Sequence, residues 1–91
     1  MDTLNQYGYS FQVKVLSLII TDKTFTSNVF DILLPEYFEA KPLKWLFEST
    51  LSYFNEYRLL PTLEVFKVQV TNISNPVLKT EVIAALKEVF K

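Results

Sequence analysis

One glycine, Gly8, occurs in 91 residues. A chain so poor in glycine has few forced breaks, and its punctuation falls to four prolines and to clusters of Asn, Ser and Asp. It also lacks the several glycines that a Walker A loop or a dinucleotide fingerprint needs for close backbone approach to phosphate. No cysteine and no histidine are present. That removes a disulfide framework, a thiolate nucleophile, a Cys-based zinc site, the usual general base and the Ser-His-Asp arrangement. The length fits a single domain. At this size a folded monomer buries about 64% of its unfolded surface, so a core needs no staple.

Hydrophobic residues are 49% and charged residues 21%, a globular balance. Nine basic residues stand against ten acidic ones, for a net charge of −1. They are interspersed, with no basic stripe of the kind a duplex reader carries, so tight nucleic-acid binding is not expected. The longest apolar stretch, Val15–Ile20, is interrupted by Ser17 and is too short to span a bilayer. No signal peptide is evident. A soluble, cytoplasmic protein without membrane partners is expected.

Residues Tyr9 to Thr21 put Phe11, Val15, Leu16, Leu18, Ile19 and Ile20 over about half of a helical circumference, which predicts a central, buried helix. Phe11, Val13 and Val15 also alternate as in a strand, but thirteen residues is long for one. Asp22 is the N-cap expected of a second helix with Phe25, Val29, Ile32 and Leu33 on one face. Pro35 either ends it or opens a short helical turn over Glu36–Phe38. A third helix, Pro42 to Tyr57, aligns Leu43, Leu46, Phe47, Thr50, Phe54 and Tyr57. After the break at Leu60-Pro61-Thr62, Leu63, Phe66, Val70 and Ile73 make a fourth stripe, with a strand-like alternation over Phe66–Val70 as its rival. Asn75 and Pro76 open a fifth helix, with Leu78, Val82, Ala85, Leu86 and Val89 on one face. The expected architecture is one all-α domain over residues 1–91. It is an orthogonal bundle of five long helices plus the short turn, preceded by a flexible tail over residues 1–8. The chain stops at Lys91 without a C-cap signal, which reads as a cut through or just after a helix.

Catalytic options are few. Glu36 with Glu39, and Glu81 with Glu88, are candidate carboxylate pairs. Both pairs fall on polar helix faces and read as solvated charge, because acid–base work needs a carboxylate in a pocket. A metal bundle site would need a Glu-x-x-His motif, which this composition forbids. Aromatics make up 15% of residues. Phe11, Phe25, Phe47, Phe54 and Phe66 lie on core stripes, not on a stacking platform beside a basic groove. Trp45 differs. It lies about 200° from Leu43 on the helical wheel, on the polar face, and tryptophans are common interface anchors. Val65 and Val68, outside the fourth stripe, carry the same suggestion. Another element of the same domain could equally cover Trp45. As an interface anchor, its truncation to Ala is expected to weaken association and leave thermal stability nearly unchanged.

From Val15 to Phe47 the order of apolar positions and corners resembles the N-terminal domain of DnaB-type replicative DNA helicases, in the form carried by T-even-like bacteriophages. Val15-Leu16 followed by Ile19-Ile20 and Asp22 resemble the family's opening V-L-x-x-apolar-apolar-x-D. Phe25 and Val29 resemble its next helix, and Leu33, Leu34 and then Tyr37-Phe38 its L-x-x-(D/E)-x-F corner. Leu46-Phe47 stand where the family has Ile-Phe. Tyr53 to Tyr57, then Pro61-Thr62 and Leu63, are similar to the phage form's N-E-Y…P break before the fifth helix. Ser17 stands where family members often carry Gly, and Leu43-Lys44 where many carry His-Arg. These departures favour a divergent phage or plasmid branch.

The resemblance implies an all-α collar domain that joins copies of itself on a hexameric ring and docks a primase and, in some members, a helicase loader. It places the protein in a bacterial cytoplasm or a phage-infected cell. It implies no catalytic residue, cofactor or metal in this domain. ATP and Mg²⁺ belong to an ATPase domain absent from this chain, so the 91 residues are not themselves an enzyme although the parent would be. The other reading is a free-standing helical adaptor or regulator. In both, Trp45, Val65 and Val68 are the candidate interface residues.

Overall fold

The computed structural model describes residues 8–90, so most of the expected N-terminal tail lies outside the described residues. Among them are five α-helices and one 3₁₀ turn. Helix α1 spans Tyr9–Thr21, α2 Lys23–Val29, α3 Lys41–Tyr57, α4 Leu63–Val70 and α5 Pro76–Val89, with the 3₁₀ turn at Pro35–Tyr37. The all-α, single-domain architecture read from the sequence is the one observed. Neither stretch with strand-like alternation forms a strand. In both, the apolar side chains at helical spacing reach a common core.

The caps explain the boundaries. Asp22 alone separates α1 from α2 and serves both. Its N–H donates to the Leu18 carbonyl at 2.8 Å, and its Oδ1 accepts from the Phe25 N–H at 3.0 Å. Thr62 accepts from the Val65 N–H at 3.2 Å. Asn75 accepts from both Val77 and Leu78, with Pro76 in the first turn, where its missing N–H leaves no gap. Gly8 precedes α1 at φ 89°, a conformation glycine adopts without strain.

Helix α2 is shorter than its stripe suggested. It stops at Val29, and Ile32, expected on its inner face, is 67% exposed. Pro35 holds Leu34 extended, at φ −115° and ψ 150°, as the residue before a proline prefers. The turn this forces directs Phe30 inward, where its ring meets Phe47 edge-on at 5.8 Å and Phe54 at 5.3 Å. Helix α4 likewise runs only two turns, so three of the five helices are long.

Helix α5 is the hub, packing on α3, α1 and α4; α1 also packs on α2 and α3, and the 3₁₀ turn lies on α3. The centre is filled by Leu16 and Ile19 of α1, Phe38 after the 3₁₀ turn, Leu43, Leu46 and Phe47 of α3, Phe66 of α4 and Val82 of α5, all fully buried. The radius of gyration is 12.3 Å, close to the roughly 12 Å of a compact chain this long.

Three expected core positions are corrected. Phe11 and Leu18 of α1 are 42% and 44% exposed, and Tyr57 at the end of α3 is 54% exposed. In their place α1 buries Gln12. The covered arc of α1 is set by α2, α3 and α5 closing over it, and is narrower than the apolar arc.

Candidate interaction surface

Helices α4 and α5 meet at an angle that leaves a groove of about 520 Å³ between them. Its floor comes from Leu63 and Val70 of α4 and from Ile83, Leu86 and Phe90 along and after α5. The Phe90 ring also packs edge-on against the buried Phe66 of α4 at 5.9 Å and so ties the two helices together. Lys67, Thr71, Lys79 and Lys87 form the rim, and no carboxylate lines it. Lys67 pairs with Glu64 one turn earlier at 3.3 Å, both side chains well exposed.

The opposite flank of α5 carries the acids Glu81 and Glu88. There a smaller hollow, about 360 Å³, lies between Tyr9, Lys41, Pro42, Glu81 and Ala84. The Tyr9 hydroxyl donates to Glu88 Oε1 at 3.3 Å. Partial burial, and then the nearby Glu88 charge, push the Tyr9 hydroxyl above its ordinary pKa. The carboxylates Glu81 and Glu88 thus stand on an exposed flank beside a tyrosine. Among the described residues no group of three or more His, Cys, Asp or Glu converges as a metal site would require.

The residues singled out from sequence are distributed as follows. Trp45 is half-buried and packs against the hydrophobic core, so one side of the ring is covered by its own domain. Val65 is half-buried and Val68 is 66% exposed, both on α4. Helices α3 and α4 are not among the pairs that pack together closely; Trp45 lies on the first, Val65 and Val68 on the second. None of the three lines the groove. The groove has a signal in the sequence that the apolar stripe concealed: Ile83 lies outside the buried face of α5, with Lys79 four residues before it and Lys87 four residues after. That spacing puts an apolar residue between two cations on one line of a helix.

Fold and surface together define a small all-α protein with a lysine-rimmed apolar groove. No helix among the described residues is long and apolar enough to cross a membrane. A 60-residue stretch, 66% of this chain, is 35% identical to a DnaB-like replicative helicase of Enterobacteria phage T4. The match covers 13% of that helicase's length. No family model matches the chain, and no solved structure matches it. The chain is related to a replicative helicase through this segment.

Proposed function

We propose that this chain is a scaffolding part of the replicative DNA helicase machinery, the collar domain that joins copies of itself and docks a primase or a helicase loader. One observation carries the reading: the 60-residue similarity to a DnaB-like replicative helicase. The all-α fold and the apolar surface fit a protein-binding role. The chain has one glycine and no histidine or cysteine, so it brings neither a phosphate loop nor a nucleophile–base pair of its own. Its work is spatial. Holding a primase beside the helicase makes their encounters intramolecular and raises the effective concentration without new chemistry. Copies related by symmetry would meet through self-complementary patches, for which Trp45, Val65 and Val68 are the candidates. ATP and Mg²⁺ would act in another domain of the parent protein, in the cytoplasm where replication proceeds.

The test is sedimentation velocity of the purified chain, alone and with a phage-type primase. The expected result is weak self-association and a faster co-sedimenting boundary with primase. A folded chain that stays monomeric at high concentration and sediments independently of primase would overturn the reading.

A further inference from the structure

We infer that the α4–α5 groove is a docking site for an amphipathic helix of a protein partner, one whose leucine-type stripe is flanked by Asp or Glu. The inference stands on the groove itself and does not depend on the helicase relationship.

The floor supplies the apolar half of the argument. Ile83 is 40% exposed although it is aliphatic, and it lines the groove together with Val70 and Leu86. A volume of about 520 Å³ is in the range of sites that bury several apolar groups. The groove also runs along α5 from Lys79 to Phe90, a length of eleven steps, or about 16 Å. That is the length of three helical turns, the span over which helix-in-groove partners place their anchors.

The rim supplies the charge. Lys79, Ile83 and Lys87 follow one another at four-residue intervals, so the two ammonium-bearing positions are about 12 Å apart along α5. Carboxylates seven or eight residues apart on a helix lying alongside would match that spacing. Glu64 already neutralises Lys67, whereas Lys79 and Lys87 have no ion pair among the described residues. The acids of α5, Glu81 and Glu88, lie toward Tyr9 on the other flank. In a chain of net charge −1, a groove lined by lysines and no carboxylate is a local reversal of sign. It selects an acidic occupant by complementarity and disfavours a basic one.

The test uses the full 91-residue chain and three labelled helical peptides of about four turns. All share a leucine stripe; the flanking positions are Glu in one, Gln in the second and Lys in the third. Fluorescence polarisation gives the affinities. The Glu peptide is expected to bind about tenfold more tightly than the Lys peptide, as a few exposed ion pairs supply. The double variant Lys79→Glu/Lys87→Glu, at rim positions, is expected to invert that order. Ile83→Asp is expected to abolish binding, with unchanged far-UV circular dichroism in both variants. Equal affinity for the Glu and Lys peptides, an order unaffected by the double variant, or no binding by a folded chain would each overturn the proposal. So would a concentration-dependent dimer that Ile83→Asp dissolves, which would assign the groove to a second copy of the chain.

Discussion

Two buried threonines show how identical side chains act differently at the residue scale. Thr26 lies on α2, and its hydroxyl donates to the carbonyl of Ile19 in α1, with the Asp22 carbonyl also within reach at 3.0 Å. Ile19 is in the last turn of α1, where carbonyls have no partner within the helix. The Thr26 hydroxyl therefore closes the end of one helix from the next. Thr50 donates to Leu46 four residues back in the same helix at 2.7 Å, where the carbonyl already receives a backbone N–H. Thr26→Val leaves a buried carbonyl unpaired and is expected to cost about 1–3 kcal/mol. Thr50→Val keeps the shape and every backbone bond, and is expected to change stability by less than about 0.5 kcal/mol. Thermal melts of the two variants check the contrast; equal losses would refute it.

At the scale of elements, the ends of helices separate the legible from the illegible. Asp22, Thr62 and Asn75 announce their helices because a short oxygen-bearing side chain before an apolar stripe does one physical thing: it accepts the first free N–H groups. The end of α3 carries no such mark. Arg58 adopts the left-handed conformation, φ 58° and ψ 25°, and its N–H donates to the Phe54 carbonyl at 2.8 Å. Glycine usually holds this position. The arginine is retained with its guanidinium 5.8 Å from the Phe54 ring. Arg58→Gly removes a left-handed penalty of about 1–2 kcal/mol. It also loses that ring contact and loosens the unfolded chain, so the expected net gain is about 0.5–1 kcal/mol. A rise of several degrees in Tm is the readout.

At the scale of the whole molecule, α3 is packed by α5 and α1 and by the 3₁₀ turn, and Phe47 sits within that core. Phe47 is fully buried, with Phe30 and Phe38 rings 5.8 and 5.0 Å away. Phe47→Ala is expected to cost about 3–5 kcal/mol. A domain of 91 residues has about 5–14 kcal/mol in total at roughly 0.05–0.15 per residue, so a large share of its stability goes and the melting transition should fall steeply. Phe47→Leu should keep a cooperative transition. Trp45 lies at the edge of the same core. The expectation that its truncation leaves stability untouched is revised by its half-burial. Trp45→Ala is expected to cost about 1–2 kcal/mol, less than a fully buried aromatic, and sedimentation then reports any interface role separately from the melt.

Composition and periodicity alone determined the class of fold, the helix starts and most of the core. Leu16, Ile19, Leu43, Leu46, Phe47, Phe66 and Val82 are buried where the stripes place them. The chemistry the chain lacks was equally legible, since a missing histidine or glycine is missing in any conformation. Tertiary structure decided what depends on neighbours distant in sequence. It set how wide an arc of α1 is covered, exposing Phe11 and Leu18 and burying Gln12. It turned Phe30 inward at the cost of the end of α2. It brought the lysines of α4 and α5 to the rim of one groove. A helical wheel reports which residues share a face, but not which faces meet. The groove exists because α5, which packs on α3 and α1, also packs on α4, where Phe66 meets Phe90.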